Sequence, residues 1–432
     1  MRMQTNKGDY CPLTTGGSET SFWINLAAVF IAVGVLAGLS HFRLLQGPPL
    51  FILYALTITV SIVLLERIFY PRTCFYSRWK IRRKINWNRV CYKEVAFLVT
   101  LATIGFFYWL LPMFETDTFT EVYKPFLEYF VPFLVIASLP YFCLMDKMDE
   151  NPDDIYFKLG KAIVLRQKTV TGFEFGNYIR SWLVKAFYLS LMHPSMMGKL
   201  YWLLQVSWEN VRNSPVALFY TAETACFFMD LTYASIGYLV NFKILNSQTR
   251  TAEPTLLGWT VAIMCYFPFW GALFYPYFCR YNEIGWINVF HSGSILWWIW
   301  AALIIALELL YAMASVAIGF RFSNLTYRGL VNTGPYRWTK HPAYVFKNIS
   351  WWLLAVPFMA SSPLMAVKLS LLLLLNNLIY YLRAKTEERH LSHYPEYVAY
   401  ALEMNDKSIF RWVARIFPFL KYRPLLQSER LF

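Results

Sequence analysis

The residues best equipped for chemistry fall in two polar runs near the C-terminus. The first reads Gly334-Pro335-Tyr336-Arg337-Trp338-Thr339-Lys340-His341-Pro342-Ala343-Tyr344. Gly334-Pro335 is a turn signal. Pro342 drives His341 toward an extended conformation while itself being tolerated at the first position of a helix. His341 is therefore expected on a rigid stub at a helix N-terminus, where free N–H groups favour an anion such as a carboxylate. The second run is Leu382-Arg383-Ala384-Lys385-Thr386-Glu387-Glu388-Arg389-His390-Leu391. On one continuous helix from Pro363, Asn376, Tyr380, Arg383, Glu387 and His390 recur at steps of four, three, four and three. They then form a single polar stripe. Arg383 and Glu387 are equally well spaced for a modest surface salt bridge.

The elements that must position these runs are membrane helices. Of 432 residues, 57% are hydrophobic and only 15% charged, whereas a soluble domain is about 45–50% apolar and about 25% charged. The aromatic share of 19%, with 17 Trp, suits rings that favour the membrane–water interface. The net charge of +14 does not mark a nucleic-acid-binding protein, because the basic residues cluster between apolar runs rather than on one soluble face. Seven scattered cysteines, without CxxC or Cys/His spacing, give neither a zinc site nor a disulfide framework. No metal is expected.

Stretches of about 20 apolar residues predict spans at Phe22 to Ser40, Pro49 to Leu65, Val95 to Met113, Pro125 to Met145, Pro215 to Val240, Thr255 to Phe278 and Ser294 to Phe320. A weaker one, Leu183 to Leu204, is interrupted by Lys185, His193-Pro194 and Lys199. A final hairpin, Tyr344 to Met359 and Pro363 to Leu382, turns at Ala360-Ser361-Ser362. The expectation is an all-α, polytopic bundle of about ten transmembrane helices with a C-terminal helical hairpin. Loop charge orients it. Arg67 to Lys93 holds nine Lys/Arg and no acid, and Arg321 to Lys347 holds five and no acid, so both belong inside. Both termini are then cytoplasmic. The acidic segment Phe114 to Tyr123 falls outside. The loop from Asp146 to Ser181 is either a plain linker or a surface amphipathic helix with Tyr178, Ile179, Trp182 and Leu183 on its apolar side.

Gly334-Pro335-Tyr336-Arg337, Lys340-His341-Pro342 and Tyr344, a helical hairpin, then Arg383, Glu387-Glu388 and the Glu396-Tyr397 to Tyr400 segment together resemble the isoprenylcysteine carboxyl methyltransferase family of integral membrane enzymes. The resemblance covers about the last 110 to 140 residues and extends more loosely to phospholipid methyltransferases and to membrane sterol and steroid reductases. It implies S-adenosylmethionine in a cytoplasm-facing pocket and a lipophilic acceptor that enters from the bilayer. By that resemblance Tyr336, His341, Pro342 and Tyr344 line the cofactor pocket, with Glu387 or Glu388 near the cofactor's ammonium. Arg383 holds an acidic or polar acceptor group beside the methyl, so Arg383 and Glu387 are the catalytic candidates. Lys340 stands where the family often has Arg, and His393-Tyr394-Pro395-Glu396 replaces a Phe-Gly turn. Methyl transfer from a sulfonium suits such sparse equipment, since alignment alone contributes roughly 7–11 kcal/mol.

The resulting division is a polar tail over 1–20, a transmembrane region of unassigned role over 21–290, a catalytic region over 291–405 and a basic cytoplasmic tail over 406–432. The membrane would be the inner membrane of a bacterium or the endoplasmic reticulum of a eukaryote. Partners are membrane lipids and the lipophilic acceptor, with no nucleic acid. Acids inside spans default to functional hypotheses. Glu223 and Asp230 lie seven apart on one helix face, Glu308 is mid-span and Glu128 lies near an outer end. They are open to a structural ion-pair network with His193 and Lys199, to a proton or ion relay, or to an acceptor cavity lined by Glu223, Asp230, Asn376 and Tyr380. Two other functions stay open, an NADPH-dependent sterol- or steroid-type reductase and a non-catalytic lipid-binding or transport protein.

Overall fold

The computed structural model describes residues 13–14, 17–41, 47–73, 79–111, 119–273 and 285–424. Four long helices come first: α1 (Phe22–His41), α2 (Pro48–Phe69), α3 (Trp87–Leu110) and α4 (Lys124–Met148). The short α5 (Ile155–Leu165) leads to α6 (Gly172–Gln205), α7 (Trp208–Asn213) and α8 (Pro215–Leu239). Three short pieces follow, α9 (Leu256–Ile263), α10 (Phe269–Leu273) and α11 (Trp286–Val289). The chain ends with α12 (Ile295–Ile318), α13 (Pro342–Ala355), α14 (Pro363–Leu391), α15 (Pro395–Lys407) and α16 (Arg411–Ile416). Among the described residues six helices are long and apolar enough to cross a bilayer: α1, α2, α3, α4, α12 and α14. This is an integral membrane protein.

The main core lies where α1, α2, α4, α6 and α8 meet, around Ala28, Phe51, Ile58, Phe126, Tyr188, Met196 and Tyr233. α6 packs along α8, α8 along α12, and α12 along α13, so one continuous helical wall joins the N-terminal half to the site-bearing hairpin. α6 starts with a capping box. Thr171 accepts from the Glu174 N–H at 3.2 Å, and Glu174 accepts from the Thr171 N–H at 3.0 Å, which satisfies two otherwise orphan donors.

Several expectations change. The Leu183 to Leu204 segment is not interrupted, because α6 runs unbroken through Pro194. Packing against α8 outweighs the roughly 3 kcal/mol that an interior proline costs. The Asp146 to Ser181 segment is neither a plain linker nor the expected surface helix. α5 packs on α3, and Tyr178, Ile179, Trp182 and Leu183 belong to α6. Tyr178 is buried, with its hydroxyl 2.6 Å from Thr100 Oγ1. The Thr255 to Phe278 span is not one helix either, since α9 stops at Ile263 and gives way to turns before Pro268, which cannot donate into a helix. The part of that span over 274–278 lies outside the described residues, as do 74–78 of the basic loop and 112–118 of the acidic one.

The two ends of the bundle are built differently. At one end a two-residue antiparallel pair joins Thr251 to Tyr327 and Ala252 to Thr326. At the other, Trp286 packs on Phe219 and Trp297, in the first turns of α8 and α12. α12 is about 36 Å long at 1.5 Å per residue, so Ala252 and Trp286 lie toward opposite ends of the bundle.

The site-bearing end is tied together by Glu19, whose side chain is fully buried. Arg250 Nη2 donates to both of its carboxylate oxygens (2.8 and 2.7 Å), and Arg321 Nη1 donates to its backbone carbonyl. The Glu19 N–H donates to the Leu330 carbonyl at 2.9 Å. Gly329, at φ +117°, lies against this carboxylate, where a Cβ would collide with it. Gly237 likewise lets α8 approach the Phe322 backbone. Glu19→Ala should leave Arg250 and Arg321 short of a carboxylate and cost about 3–5 kcal/mol. An unchanged melting temperature in detergent would contradict this account of the tie.

Candidate active site

α14 begins cleanly, with Ser362 accepting from the Met365 N–H and Pro363 in its first turn. Its 29 residues then run without a break from the hairpin turn to Leu391. That continuity puts Asn376, Tyr380, Arg383 and His390 buried on one side, with Glu387 half exposed.

Arg383 is 6% exposed, and among the described residues no carboxylate pairs with it. Its Nη2 donates to Asn324 Oδ1 at 2.6 Å and reaches the Tyr266 hydroxyl at 3.5 Å. The guanidinium lies 4.8, 5.4 and 5.8 Å from the ring centroids of Tyr344, Tyr266 and Tyr380. Cation–π attraction, roughly 2 kcal/mol or more when desolvated, thus takes the place of a counter-ion. Asn324 is held in register by its other end. Its Nδ2 donates to the hydroxyls of Tyr238 (2.8 Å) and Tyr266 (3.0 Å), and its N–H donates to Tyr238 (2.9 Å). The amide oxygen is thereby turned to Arg383.

His341 caps α13 at φ −128°, with Pro342 in the first turn. Its ring stacks parallel on Tyr344, with centroids 5.5 Å apart. The two glutamates differ. Glu388 lies between two ammonium groups, Lys340 Nζ at 2.7 Å and Lys385 Nζ at 2.9 Å, with His341 Nε2 at 3.3 Å. Burial draws the Lys340 ammonium below its ordinary pKa, and Glu388 opposes that. Among the described residues Glu387 accepts only the Tyr344 hydroxyl, at 2.7 Å on Oε2, with His341 Nδ1 3.9 Å away and its side chain 43% exposed. The Tyr336 carbonyl accepts from the Tyr400 hydroxyl at 2.7 Å. Tyr397 carries a buried hydroxyl with no hydrogen-bond partner among the described residues, close enough to feel both glutamates.

Asn376 and His390, seven residues to either side of Arg383, lie about 10 Å along α14 from it. His390 Nε2 lies 2.9 Å from Thr251 Oγ1, itself 2.6 Å from the Tyr394 hydroxyl. Asn376 is 1% exposed, and both its amide atoms lack partners among the described residues. Of the acids in the bundle, Asp230 accepts from the hydroxyls of Tyr311 and Ser315 on α12. Glu308 has both carboxylate oxygens buried without a partner. Glu223 lines a separate cavity of about 820 Å³ with Lys199, at the opposite end of α8, and Glu128 is exposed on α4. The ion-pair network is not formed: among the described residues none of Glu223, Asp230, Glu308, His193 and Lys199 makes a salt bridge. His193 instead stacks on Phe126 at 4.2 Å, and Lys199 lies 5.6 Å from the Phe227 ring.

Residues 296–393 match the family model for the isoprenylcysteine carboxyl methyltransferase (ICMT) family. No curated protein and no solved structure matches the chain. The ICMT match begins in the first turn of α12 and ends just past α14, so it includes Asn324, Tyr336, His341, Tyr344, Arg383 and both glutamates. Tyr238 and Tyr266, which position Asn324 and face Arg383, lie outside it, as do Tyr397 and Tyr400.

Asn324, Tyr238 and Tyr266 are the site residues that sequence reasoning missed. Tyr238 and Asn324 are polar groups near the end of an apolar stretch and Tyr266 lies inside one, with no spacing to link any of them to Arg383. Asn324→Ala should remove the acceptor facing Arg383 and leave the buried guanidinium undersatisfied. The expected loss is about 1–3 kcal/mol, measured as a lower melting temperature. Tyr266→Phe, which keeps the ring, should cost less, and equal losses would contradict the assigned roles.

Proposed function

We propose that the chain is an S-adenosylmethionine-dependent membrane methyltransferase acting on a lipophilic acceptor. The observation that carries this reading is Arg383, a buried cation facing neutral groups only, one helical turn from a half-exposed carboxylate on the same helix. S-adenosylmethionine needs an acceptor for its ammonium, donors for its carboxylate and aromatic surface for its sulfonium and adenine. Glu387, the unpartnered Tyr397 hydroxyl and the stacked His341 and Tyr344 rings supply these three kinds of group, so the residues present fit the cofactor. When bound, the cofactor supplies a methyl group on a good leaving group.

In this reading Glu387 rather than Glu388 meets the ammonium, because Glu388 is already paired with Lys340 and Lys385. Tyr336, His341, Pro342 and Tyr344 form the wall, and Lys340 fixes Glu388. Arg383 holds the acceptor's acidic or polar group and orients the attacking atom. The aromatic rings around it exclude water from the nucleophile, and alignment with desolvation is what this displacement requires. Asn376 and Tyr380 continue the acceptor side of the stripe toward the bilayer, with Asp230 beyond them. Glu223, at the far end of α8, is about 22 Å along the helix from Tyr238 and is better suited to an access path than to the reacting group.

Ten crossings with both termini cytoplasmic complete the proposal, with α6, α8, α13 and the Ala252 to Trp286 passage added to the six most apolar helices. The nine basic residues from Arg67 to Lys93 support that orientation.

Titration calorimetry of the purified protein should show S-adenosylmethionine binding that Glu387→Gln weakens about tenfold, the loss of roughly 1.4 kcal/mol. His341→Ala should also weaken it. Arg383→Ala should bind the cofactor but lose about 10²–10³-fold in turnover, as removal of an oriented charge does. Lipids from cells with the intact gene should contain species heavier by one CH₂ than those from cells without it. Binding of NADPH with none of S-adenosylmethionine would reverse the ranking in favour of a reductase.

A further inference from the structure

A second polar site lies on the face of α14 turned away from Arg383. Phe419 to Arg423 folds back against Tyr381, Lys385, Glu388 and Ser392 and encloses a cleft of about 310 Å³. The returning segment is pinned at several points. Tyr381 and Phe419 pack edge to face at 5.6 Å, Lys385 Nζ donates to the Lys421 carbonyl at 3.0 Å, and the Ser392 and Tyr422 hydroxyls are 2.7 Å apart. Asn405 bonds both the N–H and the carbonyl of Tyr422, at 2.9 and 3.0 Å.

The cleft has four cations, Lys385, Arg389, Lys421 and Arg423, against one carboxylate, Glu388. Glu388 is already held by Lys340 and Lys385, and Arg389 donates to Thr255 and Glu253. Lys421 and Arg423 are exposed and have no acidic partner among the described residues. A concave site with this surplus of positive charge favours an anion, and its lysines, arginines and hydroxyls suit phosphate oxygens.

Its position selects the source of that phosphate. Leu371, Leu374, Leu378, Tyr381 and Lys385 follow one another at steps of three or four along α14, and the three leucines are about half exposed, as side chains facing lipid should be. The cleft therefore opens at the end of a lipid-facing stripe. Beside it Trp412, Ile416, Phe417 and Phe419 are also exposed, interleaved with Arg411 and Arg415, the pattern of a segment lying in the headgroup layer. We propose that this cleft binds the phosphate of an anionic phospholipid headgroup, with the acyl chains running along Leu378, Leu374 and Leu371. Lys385 links the site to Glu388, and through it to Lys340 and His341.

The full-length protein, delipidated in detergent and offered equal amounts of phosphatidylglycerol and phosphatidylcholine, should retain phosphatidylglycerol selectively by native mass spectrometry. Lys421→Glu with Arg423→Glu should reduce that retention about tenfold or more, since each basic residue near an anionic surface contributes to binding. Lys421→Gln with Arg423→Gln should reduce it less while leaving the melting temperature unchanged. Equal retention of the two lipids by the unaltered protein would overturn the proposal, whatever the variants do. So would unchanged selectivity in the glutamate variant. Release of the bound lipid by a few millimolar inorganic phosphate would assign the cleft to a soluble phosphate compound instead. None of these readings depends on methyl transfer.

Discussion

A guanidinium buried in a membrane protein without a carboxylate beside it is the constraint on which the site-bearing end depends. Stripping water from a charge costs several kcal/mol even after relaxation. Arg383 recovers that through three tyrosine faces and one amide oxygen. Each of those groups must itself be fixed, or the charge would be left facing an empty contact. Hence Asn324 is gripped by Tyr238 and Tyr266, and Tyr344 is tied to Glu387. The bundle converges on one side chain from α8, the segment after α9, the loop after α12, and both arms of the hairpin.

That convergence explains why the family match and the site do not coincide. The matched segment carries the guanidinium, the amide and the two glutamates. The long N-terminal region adds Tyr238 and Tyr266, and with them sets the orientation of Asn324. The N-terminal helices are therefore more than a scaffold for holding the hairpin in lipid, because two of the side chains that hold the Arg383 environment in place come from them.

The parts of the fold that were legible in the sequence were those governed by local rules. Apolar length located α1, α2, α4, α8, α12 and the hairpin to within a few residues. The His-Pro stub and the four-three-four-three stripe follow from helix geometry alone. The rest was set by contacts between distant segments. Pro194 looks like a breaker until α8 is laid against α6, and Tyr178 looks interfacial until Thr100 meets it. The acids suggested ion pairs, yet Asp230 is satisfied by the hydroxyls of Tyr311 and Ser315, which carry no charge for a sequence reading to match. The different surroundings of Glu387 and Glu388 were likewise closed to the sequence, since they turn on Lys340 and Lys385 both reaching the second of them.

The buried carboxylate at Glu19 also has a bearing on how the protein is made. It leaves the ribosome more than two hundred residues ahead of Arg250, Arg321 and Leu330. At roughly 5–20 residues per second the interval for Leu330 is on the order of 15–60 s, during which α1 has to insert while its leading acid stays hydrated. The tie closes only when the loop ahead of the His-Pro stub arrives. Its formation then records that three distant segments have found each other, and a nascent chain stalled before that loop would hold Arg250 against the acid without the Arg321 and Leu330 contacts that complete the tie.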